Sequence, residues 1–313
     1  MRSIALGSLA LAALALAPQP GVLAQGGGGP VPPAPLPPTP VPPRVAPQPP
    51  MDAAAGQAYA QRLFDEAVRW VAKGQPGLAK VTDFTVSLDA RYVVEATRHE
   101  GPMRLWLQLP DLYRQEMTMS NVTTTKIMNR GMLYVREGND AFRNMNRTAD
   151  GAGALKQAQE DMIRLEDLTK FLTLEGLKGP GVTFEFDGQR KPSGSYARKD
   201  GDQTWLKIVR KAPGKPNISF WLAHEADAQG VAHATYPGVV RVDGDPAQGV
   251  PTEDFILQDW ADSPPNQPRA YRYPRKIVAF QIQPGKEPLN FLTAVVEDLK
   301  INTGIDATRF EPR

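Results

Sequence analysis

The sequence predicts an α+β, mainly β domain: a curved antiparallel sheet or incomplete β-barrel of about eleven strands, with helices covering its concave face. Three observations carry this expectation. Apolar and polar residues alternate over long stretches, two segments instead repeat apolar residues at three- and four-residue steps, and the turns between segments are short.

Residues 1–24 hold one charge, Arg2, then an apolar run from Ile4 to Ala17 and the small-residue pattern Val22-Leu23-Ala24 before Gln25. This reads as a signal peptide, because the run falls short of the roughly 20 residues that span a bilayer. A periplasmic or otherwise extracytoplasmic location is therefore expected. Residues 25–51 form a Gly/Pro-rich linker in which 12 of the 21 residues from Pro30 to Pro50 are proline. Such a composition buries no core and favours extended polyproline II, so a disordered spacer is expected. Residues 52–313 are left as one domain.

Between Ala53 and Lys73, Ala60, Leu63, Phe64, Ala67, Trp70 and Val71 share a face, which predicts an amphipathic helix ending at Gly74. The period then changes to two: Phe84, Val86, Leu88, Ala90, Tyr92, Val94 and Ala96 alternate with polar residues in a long strand. The alternation continues through Met103, Leu105, Leu107 and Leu109, then Met117 and Met119, then Ile127 and Met128, and after Asn129-Arg130-Gly131 through Leu133 and Val135. This is an antiparallel meander with short turns. A second helix is predicted from about Leu155 to Leu174, with Leu155, Ala158, Met162, Leu165, Leu168 and Leu172 on one face. Further strands are predicted at 182–187, 204–210, 217–223, 238–242, 253–259, 275–283 and 291–301.

The chain has no cysteine, so its core must hold it without disulfides. The absence removes thiolate nucleophiles, Cys-ligated zinc and iron–sulfur sites, and also acyl anchoring through a lipobox. Any lipid it meets would be a ligand. Lys and Arg number 36 against 34 for Asp and Glu and are interspersed, which argues against a nucleic-acid partner.

No nucleophile elbow, Walker loop or dinucleotide-binding turn is present, and Ser193-Gly194-Ser195 lies in a polar loop. His99, His224 and His233 lack the spacing that sets two imidazoles on one helix face. His224 and His233 flank a Gly-containing turn and could meet across a hairpin, although loop histidines are more often not ligands. Glu253-Asp254 and Glu297-Asp298 are adjacent pairs whose side chains point to opposite faces of a strand. Asp243-Gly244-Asp245 reads as a tight turn, without the rest of a calcium loop. No enzyme activity, metal or cofactor is expected.

Met103, Met117, Met119, Met128, Met132 and Met145 all fall within the first meander. Flexible thioethers there could line a cavity for an irregular apolar ligand, or fill a core against the helices.

The first helix and strand, then Gly101-Pro102-Met103-Arg104-Leu105-Trp106-Leu107-Gln108-Leu109-Pro110, Leu112-Tyr113-Arg114-Gln115-Glu116 and Asn129-Arg130-Gly131-Met132-Leu133-Tyr134-Val135, resemble the opening of the LolA/LolB-like lipoprotein-carrier superfamily. Tyr273-Pro274-Arg275-Lys276-Ile277, then Val295 through Asp306 and Phe310, are similar to its closing strands and tail. The resemblance implies a half-closed barrel with a helical lid over an apolar cavity. It also implies that Arg114, shortly after the proline turn, latches the lid closed. The longer domain, the insertion-like regions 188–204 and 223–252 and the proline arm depart from that pattern.

The resulting expectation is a monomeric, non-catalytic envelope protein that binds acyl chains or a lipoprotein, as carrier or lipid sensor. Met103, Leu105, Leu107, Met117 and Met119 would form the wall, and Met162, Leu165 and Leu168 the lid. The alternative is a structural or regulatory module that meets an envelope protein partner, with its cavity collapsed into an ordinary core. A hydrolase would come back into consideration if His224 or His233 stood beside a carboxylate in a cleft.

Overall fold

The computed structural model describes residues 52–313 apart from 76–80, 95–96, 120, 150, 193–204, 249, 266 and 284. The signal and linker expectations, and most of the 188–204 region, lie outside the described residues.

Helix α1 (Ala53–Val71) starts where the Asp52 carboxylate accepts the Ala55 amide at 2.7 Å. Five strands follow as a meander: β1 (Asp83–Val94), β2 (Thr97–Gln108), β3 (Leu112–Met119), β4 (Val122–Asn129) and β5 (Met132–Glu137), with a two-residue β6 (Arg143–Asn144). Helix α2 (Gly151–Thr173) leads to a second meander of β7 (Thr183–Arg190), β8 (Trp205–Lys211), β9 (Ile218–Ala226), β10 (Ala232–Val242), β11 (Thr252–Asp262), β12 (Arg272–Ile282) and β13 (Leu289–Ile301).

Among the described residues all pairings are antiparallel within one unclosed, curved sheet of 13 strands, in the order β6-β5-β4-β3-β2-β1-β13-β12-β11-β10-β9-β8-β7. The first and last strands join the two meanders, from Phe84↔Ile301 to Tyr92↔Leu292. Strands β6 and β7 are then the two edges of the sheet, and α2 connects them. Helix α2 contacts β5 and β12, and its Ala158, Phe171 and Leu172 belong to the same buried core as the first meander.

One contiguous core lies between the sheet and both helices. Helix α1 packs on β7 and β10; its Phe64 stacks on Phe184 at 4.4 Å between centroids and meets Phe220 edge-on at 5.7 Å. Burying each such ring contributes about 1.5–3 kcal/mol relative to exposure. Helix α2 is anchored near its C-terminus, where Phe171 meets Phe255 at 5.7 Å and the buried Arg210 donates to the Leu177 carbonyl at 2.7 Å. No helix among the described residues is long and apolar enough to cross a membrane.

The sheet has two more strands than the roughly eleven expected. Region 223–252 holds the end of β9 and all of β10. Pro237 and Gly238 interrupt the alternation in β10, where the register shifts between Ala234 and Pro237 and again between Pro237 and Val239. Gly238 is required there, because a Cβ would sit 2.4 Å from the Trp205 ring.

Candidate functional site

The register of the first meander decides which side chains meet under α2. Three rows run across the helix-covered face: Phe84–Leu107–Tyr113–Met128–Leu133, Val86–Leu105–Gln115–Lys126–Val135 and Leu88–Met103–Met117–Thr124–Glu137. Met103, Leu105, Leu107 and Met117 therefore share one face, as the sequence predicts for them. Leu105, Leu107 and Met117 are buried, and Met103 is partly buried against the same core. From α2, Met162, Leu155 and Ala158 pack against it. Met119 ends β3, and Leu165 and Leu168 lie in α2, but their side chains are outside the described residues.

The central row carries a residue that the sequence reading missed. Gln115 is 1% exposed and shares the phase of Tyr113 and Met117 on β3. Tyr113 donates its hydroxyl hydrogen to Gln115 Oε1 at 2.8 Å, and Gln115 Nε2 faces the Met103 sulfur at 3.7 Å. The opposite amide orientation would set an oxygen against the thioether, two acceptors face to face, so the network fixes the nitrogen toward Met103. The missed signal was phase: if Met117 points inward, so does Gln115.

Arg114 lies on the other face, in the row Thr85–Trp106–Arg114–Ile127–Tyr134. Its guanidinium donates from Nε and Nη2 to Glu116 Oε1 at 2.9 and 2.5 Å, and from Nη1 to the Arg309 carbonyl at 2.9 Å. The Arg309 guanidinium stands 5.1 Å from the Trp106 ring centroid, and Asn129 donates to the Phe310 carbonyl at 3.1 Å. Arg114 thus fastens the C-terminal 3-10 turn (Ala307–Phe310) to the outer face, where Phe310 is fully buried. Neighbouring positions of a strand point to opposite faces, so Arg114 does not share the face of Tyr113 and Gln115.

His224 lies opposite Ala234, and His233 opposite Glu225, so the two imidazoles occupy alternating positions of the hairpin. Burial lowers the His224 pKa below the ordinary imidazole value. His233 sits between two carboxylates, with Nδ1 at 3.1 Å from Glu66 Oε1 and Nε2 at 3.2 Å from Asp227 Oδ2. Hydrogen bonds to Asp227 and then to Glu66 raise its pKa. A general base needs one ring nitrogen turned to a nucleophile, whereas both nitrogens here face acids. The group is a clasp between α1 and the β9–β10 hairpin: Glu66 also accepts the Ala234 amide at 2.8 Å and pairs with Arg62 at 3.3 Å.

Glu253 and Asp254 are split between the faces as expected. Glu253 is buried on the covered side near Gln281, and Asp254 pairs with Arg241 on the outer side. Asp245 opens a short turn, its carboxylate accepting the Ala247 amide at 3.0 Å. Among the described residues no group of three or more His, Asp or Glu is placed to hold a metal ion.

No protein-family profile matches the sequence, and no curated protein matches it. Solved structures similar to this chain include a DUF1329 family protein from Desulfovibrio piger, at 8% identity and TM-score 0.42, covering 80% of this chain and 97% of that one. A putative outer membrane lipoprotein-sorting protein domain from Vibrio parahaemolyticus is 10% identical at TM-score 0.38, covering 83% and 97%. A LolA superfamily protein from Nitrosomonas europaea is also 10% identical at TM-score 0.38, covering 80% and 97%. At these values the likeness bears on neither ligand nor mechanism.

Proposed function

We propose that the chain is a non-catalytic protein of the bacterial envelope that holds acyl chains, free or on a lipoprotein, between the first meander and α2, as carrier or lipid sensor. The observation that carries the reading is the facing pair Met103↔Met117 beside Leu105 and Leu107, in the same core as Ala158 and Met162 of α2. Thioethers fit irregular apolar ligands because three rotatable bonds let them repack. The driving force is apolar burial at about 25 cal/mol per Å², which needs few polar contacts. In this reading residues 1–24 direct export and 25–51 act as a spacer.

A second reading is favoured by one specific observation. Leu105, Leu107, Tyr113 and Met117 are 0–4% exposed. A face so fully covered also suits a regulatory interaction module whose cavity has collapsed into an ordinary core.

Native mass spectrometry of the full chain purified from its own envelope, followed by lipid extraction, separates the two. Bound acyl lipid that disappears in Leu105→Asp, with folding checked by circular dichroism, is the carrier result. A ligand-free mass that persists after incubation with acyl lipids is the interaction-module result.

A further inference from the structure

The wall proposed for acyl chains holds a polar group that an apolar core does not need. Gln115 sits in its central row, flanked across β2 by Leu105 and diagonally by Met103, and it is 1% exposed. A primary carboxamide carries two N–H donors. The oxygen is satisfied by the Tyr113 hydroxyl, but the nitrogen meets only the Met103 thioether at 3.7 Å, a weak acceptor. At least one of its N–H donors is therefore buried without an oxygen partner. Buried donors normally meet oxygen or nitrogen, and one that meets only a thioether calls for an explanation.

We propose that the Gln115 amide donates a hydrogen bond to the ester carbonyl oxygen of a bound acyl chain, which makes Gln115 the residue that selects acyl esters over plain hydrocarbon. The inference rests on the reading of the site as an acyl-binding wall. Three features fit it. Tyr113 holds the carboxamide by its oxygen, so the nitrogen end is pre-oriented before a ligand arrives. The atom in front of that nitrogen belongs to a flexible methionine, which can swing aside more easily than a branched side chain. The flanking Leu105, Met117 and Met103 then receive the methylenes that adjoin the carbonyl. Chemically, an ester carbonyl offers a strong acceptor in the middle of an apolar molecule, and Gln115 is a neutral donor beside Leu105, Met103 and Met117, with Lys126 across β4.

The test compares two probes that differ by that carbonyl, 1-monopalmitoylglycerol and 1-O-hexadecylglycerol, on the full chain. The wild type is expected to bind the ester about tenfold more tightly, the effect of one net hydrogen bond. Gln115→Met should erase the preference while binding the ether at least as well. In the wild type the Gln115 side-chain amide resonances should move with the ester and not with the ether, a readout that needs no variant to fold. Equal wild-type affinities, a preference that survives in Gln115→Met, or unmoved resonances with bound ester would each overturn the assignment while leaving acyl binding in place. A wild type that binds neither probe would overturn the acyl-binding reading itself.

Discussion

Arg241 grips Asp254 through two parallel charge-assisted hydrogen bonds, Nε to Oδ1 at 2.6 Å and Nη2 to Oδ2 at 2.7 Å, across the outer face of β10 and β11. The Asp254 side chain is fully buried, and the Arg241 guanidinium also stands 5.3 Å from the Trp221 ring centroid. A buried carboxylate left without its cation is costly, so Arg241→Met should destabilise the chain by about 3–5 kcal/mol. Urea unfolding followed by circular dichroism measures this. The double variant Arg241→Met/Asp254→Leu should recover much of the loss, because it removes the stranded charge together with its partner.

The clasp at His233 predicts a pH dependence of stability. Its pKa is raised in the folded protein by Asp227 and Glu66, so its contribution is complete below the unfolded imidazole value near 6.5 and is lost as pH rises through the higher folded value. The Asp227 pKa is lowered, chiefly by the Val231 amide, so its contribution is present above the usual carboxylate range and is lost on acidification through the lowered value. Around His233 the neighbouring charges are Glu66 and Arg62 from α1, and Asp227 and the cross-strand Glu225 from the hairpin. Unfolding midpoints of wild type and His233→Gln should therefore differ most near pH 5–6 and converge on the alkaline side. Parallel curves across that range would show that the imidazole charge plays no part.

Arg114→Ala should free the C-terminal 3-10 turn and leave the helix-covered face intact. The Arg309 carbonyl loses its donor and the Glu116 carboxylate loses its cation, at a cost of about 1–3 kcal/mol. Hydrogen exchange should accelerate in residues 307–313, with little change in α2. Faster exchange confined to α2 would instead support the lid-latch role implied by the family resemblance.

Gly238→Ala should cost about 1–3 kcal/mol, since the new methyl would lie 2.4 Å from the Trp205 ring. Thermal unfolding of this variant, and of Gly238→Ala combined with Trp205→Leu, checks the cause: the second change should relieve the first.

The sheet was legible because side-chain alternation and strand geometry share a period of two. Phe84, Val86, Leu88 and Ala90 announce β1, and all four are buried in the core. Both helices were legible from their apolar faces, although α2 begins at Gly151, four residues before the expected Leu155. What was not legible depends on register. Nothing local to Arg114 says that the covered face belongs to Tyr113 and Gln115, because β3 carries polar residues in both phases. Strand β10 was half hidden because Pro237 and Gly238 read as a break, whereas the sheet absorbs them as a bulge. The Glu66–His233–Asp227 clasp joins residues 167 and 6 positions apart, and its longer link is set by how α1 docks on the sheet. That Met103, Leu105, Leu107 and Met117 share a face was legible because they fall in phase on neighbouring strands. Gln115 was passed over because a polar residue was not sought among apolar ones.

The most direct measurement of the central claim is photocrosslinking of the full chain with a diazirine-bearing palmitic acid, with the labelled peptides mapped by mass spectrometry. The account predicts label on β2, β3 and α2, displaced by excess unlabelled acyl lipid. Label confined to other surfaces, or none at a saturating probe concentration, would contradict it.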